Sequence, residues 1–349
     1  MDFTFTAQQE ELRRAVRDLG EKRSSSQQVR ETMASGGHDA DLWVVIGQQL
    51  GLAALPVSEA AGGVGASWVE VGVVLEELGA CLAVVPLLSH LVAVSVIPER
   101  ASVLADVAAG TKTAAVALGP GVNAAGGALL GRMDHLSYGA TADVVVVVAA
   151  DQESEALYLV DVAEGGVAVE PLIPIDQTRP QSNVVLDAAP AHRIGGQDAV
   201  DRARDIQRVA IALDSVGAAR TALELTVAYL KTRVQFGRAL GGFQALRHRA
   251  ADCAVALEAA TATARYASWV VDGNPAELAE VAPIAKALCT QTFHDLAAEM
   301  IQLHGGIGFT WEHDAHLYFK RATTNLLIGG DPAAQRSELA TRVPLLSPR

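Results

Sequence analysis

Two short stretches in the C-terminal part of the chain combine polar reach with bare backbone. The first is Arg233-Val234-Gln235-Phe236-Gly237, followed by Phe243-Gln244; the second is Gln302-Leu303-His304-Gly305-Gly306-Ile307-Gly308-Phe309-Thr310. A guanidinium can hold a pyrophosphate bidentately, and a side-chain amide can meet ribose or phosphate oxygens. Paired glycines let a ligand approach the main chain closely. Each feature also has a plainer use: Arg233 as a solvated residue at a helix end, Gly305-Gly306 as a helix C-cap. Their combination suits the pyrophosphate and ribose of a dinucleotide. Because a helix C-terminus repels anions, Gln302 rather than a helix dipole would make the polar contact in the second stretch.

Other constellations carry less. His304, Glu312, His313, Asp314 and His316 fit no standard metal-ligand spacing, so no metal is expected. Gly62-Gly63-Val64-Gly65 neither follows a strand nor opens a βαβ unit, which removes a Rossmann reading.

The elements that must position these stretches read as helices, a β region, then helices again. Residues 1–112 form the expected N-terminal helical domain. Thr6 with Gln9 makes a capping box ahead of the Leu12, Val16, Leu19 stripe. A helix around Leu42–Leu50 should end at Gly51, and one from Ser67 to Leu78 should stop at Gly79. Residues 113–195 form the expected middle β domain. Val144–Val148, Ala156–Val160, Val167–Val169 and Val184–Leu186 are its strand candidates. No helix-length crossover separates them, so antiparallel pairing is expected. Residues 196–349 return to helix, with long patterns over Ala203–Lys231, Phe243–Val271 and Asn274–Gly305. Asn274 with Pro275 starts the last of these, and Pro283 should kink or break it.

Composition bounds the partners. The net charge is −13 over 349 residues, which argues against nucleic acid or an anionic membrane. Only 19% of residues are charged, which suggests surface covered by other subunits. Cys81, Cys253 and Cys289 are far apart and lie in apolar helical patterns, as expected of buried thiols in a cytoplasmic protein. The N-terminus lacks the basic and apolar regions of a signal peptide. Leu78–Ile97 has the length of a membrane span, but Pro86 breaks it and Ser89, His90 and Ser95 interrupt it. It reads as a buried helix pair.

With these residues in view, the chain resembles the acyl-CoA dehydrogenase family over nearly its whole length. The resemblance is carried by Asp41-Leu42-Trp43, Leu55-Pro56 with Gly62–Gly65, Glu76-Glu77-Leu78-Gly79, the Arg233 and Gln302 stretches, and His316–Ala322. It implies a mostly α fold with a small antiparallel β domain and a C-terminal four-helix bundle. It also implies FAD, an acyl-CoA substrate, and removal of two hydrogens across the Cα–Cβ bond. Carried over, Arg233, Gln235, Phe236, Gln244, Gln302, Gly305 and Gly306 would touch FAD held mainly by a neighbouring subunit. The chain is most similar to the degenerate subunit of actinobacterial two-chain enzymes, some of which act on steroid side-chain thioesters.

Three departures follow from that resemblance. The family's usual glutamate base falls at Ile328, within Leu326-Leu327-Ile328-Gly329-Gly330, and its alternative position falls at Gln207. Neither side chain accepts a proton. The middle-domain stretches that line the flavin ring in the family are missing between Leu118 and Val144. Two carboxylates remain. Asp214, inside an apolar helix, reads either as a displaced base or as a polar residue at a helix contact. Asp331 before Pro332 reads as an N-cap. The resulting expectation is an α2β2 complex with a homologous, base-containing subunit, passing electrons to an electron-transfer flavoprotein or another acceptor. The alternatives are a homo-oligomer using Asp214 and a scaffold without flavin.

Overall fold

The computed structural model describes residues 4–152 and 154–343. Helices α1 (Ala7–Arg23), α2 (Ser26–Ser35), α3 (Ala40–Trp43), α4 (Trp68–Ala80), α5 (Leu87–Val94) and α6 (Leu104–Ala108) come first. Strands β1 (Ala114–Ala117), β2 (Val122–Ala125), β3 (Ala128–Ser137), β4 (Val144–Asp151), β5 (Ser154–Asp161), β6 (Val167–Pro171), β7 (Gln181–Pro190) and β8 (His192–Gly195) follow. The chain then forms α7 (Gln197–Thr232), strands β9 (Val234–Gln235) and β10 (Arg238–Ala239), α8 (Gln244–Val271), α9 (Pro275–His304), α10 (Ala315–Leu327) and α11 (Pro332–Arg342). The order is the expected one: mostly α, with a central sheet and long C-terminal helices. Contacts gather into two compact units, one of residues 4–27, 72–83 and 208–343, the other of residues 28–71 and 84–207.

In the second unit, the strands run β6-β7-β3-β2-β4-β5-β8, with β1 also paired to β4. The five valines Val144–Val148 are all buried, which is why β4 reads as a continuous apolar run rather than an alternating one. The pairing is not uniformly antiparallel. β1 lies parallel to β4, with Ala114 opposite Val144 and Ala117 opposite Val147. The β2–β3 hairpin occupies the connection and does the work of a crossover helix. The expected helix at Leu42–Leu50 is divided between α3 and a π-helical turn, Val44–Gln49, and Gly51 ends it at φ +67°.

His90 is fully buried at the start of this sheet. Its Nδ1 accepts the Ala114 N–H at 3.2 Å, and its ring meets Trp43 edge-on at 5.0 Å. Burial pushes its imidazole down to about 4, so it is held neutral with the proton on Nε2. The unfolded imidazole takes its proton near pH 6.5, the folded one only near 4. The stability contributed is therefore complete above pH 6.5 and falls by about 1.4 kcal/mol per pH unit as pH drops between those values. Urea midpoints from pH 7 to 4 should fall more steeply for the wild type than for His90→Gln.

In the first unit, α4 does not stop at Gly79 as expected but one residue beyond it, at Ala80. Gly79 is a point of close approach: a Cβ there would lie 2.4 Å from the Asp214 carbonyl oxygen on α7, and a Cβ on Gly217 would lie 1.8 Å from that of Glu76. Two glycines thus let the helices touch backbone to backbone, and α4 runs on to Ala80. Beside this crossing, Glu76 and Glu77 are buried beneath arginines. Arg265 forks onto Glu76 at 2.9 and 2.8 Å, while Arg13, Arg17 and Arg220 reach Glu77 at 2.9, 3.0 and 2.9 Å. Burial alone would raise the Glu77 carboxyl, but the arginines hold it below the usual carboxylate range.

Nor does Pro283 break α9, which continues from Pro275 to His304. Proline cannot donate to the carbonyl four residues earlier. Arg342 supplies the missing donor: its Nη1 bonds the Ala279 oxygen at 2.6 Å. Cys253 and Cys289 are buried thiols as expected, whereas Cys81 is half-buried just beyond α4.

Candidate functional site

The Arg233 stretch forms a hairpin that the sequence reading missed. Val234 pairs with Ala239 and Gln235 with Arg238, so Phe236-Gly237 is a two-residue turn. Both residues have positive φ, +54° and +76°. Such turns favour Asn-Gly, and an aromatic residue in the left-handed region is strained. The strain holds Phe236 at the tip, 87% exposed, edge-on to Phe243 at 6.1 Å. The Arg238 guanidinium sits 3.9 Å over the Phe243 ring. Phe243 caps α8, and Gln244, on its first turn, is exposed. The Gln244 amide lies 3.4 Å from His248 Nε2.

The Gln302 stretch ends α9. Gly305 takes φ +63° and returns its N–H to the Gln302 carbonyl. A Cβ built on Gly305 or Gly306 meets nothing within 4 Å, so the backbone there is open. Arg233, Gln235 and Gln302 are exposed. Among the described residues, the Arg233 guanidinium meets no carboxylate. The residue types, the open glycine backbone and the uncommitted guanidinium fit the phosphate and ribose part of FAD.

The structure brings the two stretches together. The Tyr229 hydroxyl, one turn before Arg233, donates to the His304 carbonyl at 3.3 Å. Burial holds His304 below the ordinary histidine range, against the pull of the Met300 carbonyl. Two exposed aromatic residues, Phe309 inside the second stretch and Trp311 just after it, were not among the expected contacts. Phe309 is 85% exposed and Trp311 69%, with Lys320 Nζ 4.1 Å over the Trp311 ring. The available signal was two aromatics beside a glycine turn in a chain with only 5% aromatic residues.

The remaining candidates lie elsewhere in this unit. Asp214 is buried on α7. Its Oδ1 faces Arg321 Nη1 at 3.3 Å and its Oδ2 accepts from Asn325 Nδ2 at 2.7 Å. Ile328 lies on the turn after α10, whose carbonyls are claimed from within. Lys286 Nζ donates to Asn325, Leu326 and Gly330 at 2.8, 3.2 and 3.2 Å, and Gln335 Nε2 donates to Gly329 at 2.7 Å. Burial pulls the Lys286 ammonium down to about 7, with Arg208 adding to the effect. Asp331 caps α11 through the Ala334 N–H at 2.8 Å. In the other unit, Gln207 is half-buried on α7. No three His, Cys, Asp or Glu among the described residues are grouped to hold a metal ion. No described helix is long and apolar enough to cross a membrane.

Comparison with known proteins adds to this geometry. Family models for the acyl-CoA dehydrogenase N-terminal and C-terminal domains match residues 6–102 and 195–343. Acyl-CoA dehydrogenase IpdE2 of Mycolicibacterium smegmatis is 34% identical over 342 residues, covering 97% of this chain and 100% of that protein. Among solved structures, a variant of the Tcur3481-Tcur3483 steroid ACAD superposes with a TM-score of 0.90 at 29% identity, over 97% of this chain and 98% of that one. The ChsE4-ChsE5 complex from Mycobacterium tuberculosis superposes with a TM-score of 0.90 at 25% identity, over 99% of this chain and 100% of that one.

Proposed function

Since the chain belongs to the acyl-CoA dehydrogenase family, we propose that it is one subunit of a hetero-oligomeric, FAD-dependent enzyme that dehydrogenates the Cα–Cβ bond of a CoA thioester. In this reading it contributes contacts to FAD, and a homologous second chain supplies the base. One contrast within the same unit carries the reading. The Arg233 and Gln302 stretches present uncommitted polar groups and open backbone to solvent, while the turn at Leu326–Gly330 offers no carboxylate and Asp214 is bonded inside the helix packing.

When bound, FAD would supply the acceptor for the hydride that leaves Cβ. This chain's part is binding and orientation. Arg233 would neutralise the pyrophosphate, and Gln235, Gln244 and Gln302 would bond sugar or phosphate oxygens. Phe236 would cover an apolar face, and Gly305 and Gly306 would admit the cofactor close to the main chain. The proton leaving Cα goes to a carboxylate of the second chain, because Ile328 and Gln207 cannot take it. ChsE4-ChsE5 is a complex, and the Tcur3481-Tcur3483 steroid ACAD joins two named chains. Their similarity to this chain supports a heteromeric partner, and the steroid named in the first favours a steroid-derived thioester as substrate.

Co-expression tests this directly. The chain alone should be colourless or poorly soluble. With a base-bearing homologue it should co-purify with a flavin absorbance spectrum and oxidise a CoA thioester. A yellow, active homo-oligomer made by this chain alone overturns the reading.

A further inference from the structure

We infer that Tyr229 and His304 are the positioning pair that holds the Arg233 and Gln302 stretches in register. The inference rests on the flavin-contact reading above and concerns how those contacts are kept in place. The hairpin is exposed from Val234 to Arg238, and the Gly305-Gly306 turn has no side chains of its own to anchor it.

The bridge between them is made of rings. Arg233 N–H bonds the Tyr229 carbonyl at 2.8 Å, so the place of Arg233 is set by that of Tyr229. The Tyr229 ring lies tilted against His304, with centroids 4.4 Å apart and planes at 31°. Its hydroxyl donates to the His304 carbonyl at 3.3 Å, one of the acceptors that a helix end leaves without an internal partner. His304 immediately precedes Gly305 and lies two residues past Gln302. Its orientation is fixed by the 2.7 Å bond between Nδ1 and the Met300 carbonyl. On its other side His313 packs at 4.3 Å, and His313 Nδ1 accepts the Ala315 N–H at 3.1 Å. Three rings therefore tie together the end of α7, the end of α9 and the start of α10. Preorganisation of this kind raises affinity by removing the ordering cost from the binding step.

The test is a flavin fluorescence titration of the two-chain apo-complex. Tyr229→Leu and His304→Leu keep bulk but lose the ring contact. Each should weaken FAD binding at least tenfold, and the double variant should be little worse than either single one. Tyr229→Phe and His304→Phe restore the ring contact while giving up the bonds to the His304 and Met300 carbonyls, and should bind within about threefold of wild type, which assigns the bridge to the ring contact rather than to those bonds. Arg233→Ala serves as the separate check on the reading itself. Loss of affinity in Arg233→Ala without loss in the leucine variants overturns the bridge alone. Unchanged affinity in all of them overturns both. Loss in the leucine variants that phenylalanine fails to rescue also overturns the bridge.

Discussion

Asp214→Ala is expected to destabilise the unit that holds the C-terminal helices by about 3–5 kcal/mol. The reason is the cation it would leave behind. Arg321 is 2% exposed, and its guanidinium faces Asp214 Oδ1 at 3.3 Å and the Leu82 carbonyl at 3.5 Å. Asn325 donates to the other carboxylate oxygen and to Ser215. Removing the carboxylate takes away the anion that faces this buried guanidinium and one of the acceptors of the Asn325 amide, and breaking a buried ion pair is far costlier than losing a surface contact. A fall in the thermal midpoint of roughly 10 °C would follow for a unit of this size. Asp214→Asn keeps the shape and should lose less.

The same variant separates two functions. A base must offer an oxygen to the substrate, whereas both Asp214 oxygens face donors from α10. In the split-site reading, Asp214→Ala loses stability, and turnover falls only with the folded fraction. In the homo-oligomer reading, the folded fraction keeps its flavin but loses turnover. Calorimetry beside an activity assay decides the matter: abolished turnover in protein that is still folded and flavin-bound would make Asp214 the base.

Much of the fold was legible because it rests on local chemistry. The Thr6–Gln9 box, Asn274 before Pro275 and Asp331 before Pro332 all cap helices where the residue types say they should. The valine run is a strand because β-branched residues buried on both faces suit little else. What was missed lacks such signals. β1 and β2 are short and rich in alanine, β3 mixes Gly131, Arg132, Asp134 and His135 among its apolar residues, and α2 is a polar, serine-containing segment with one buried residue. The β9–β10 turn uses Phe-Gly, which does not announce a hairpin. Pro283 was read as a kink or break because its usual local effect is to interrupt a helix, and Arg342 overrides it by supplying the missing donor. Gly79 was read as the stop of α4, which ends one residue later at Ala80; its close approach to the Asp214 backbone has no local signal.

The candidate site divides along the same line. Residue types and spacing in the Arg233 and Gln302 stretches pointed to a nucleotide, because the polar groups and glycines are adjacent in sequence. That Tyr229 lies against His304, or that four arginines bury Glu76 and Glu77, depends on helices meeting across the unit. No window of the sequence contains those meetings.

Phe236 leads to a prediction in which the chain and the complex respond in opposite directions. At φ +54° its backbone carries a strain of about 1 kcal/mol or more, and its exposed ring gains little from the rest of the chain. Phe236→Asn places a residue suited to the first turn position. The isolated chain should become about 1 kcal/mol more stable, read as a higher urea midpoint at unchanged slope. On the proposed reading the ring becomes a buried anchor in the two-chain complex, and its loss there should cost about 2 kcal/mol, roughly thirtyfold in flavin affinity. A variant that stabilises the free chain and leaves flavin affinity intact would show that the strained tip does not serve the cofactor. Opposite shifts in the two measurements would show that local stability is given up at this turn for the contact it makes.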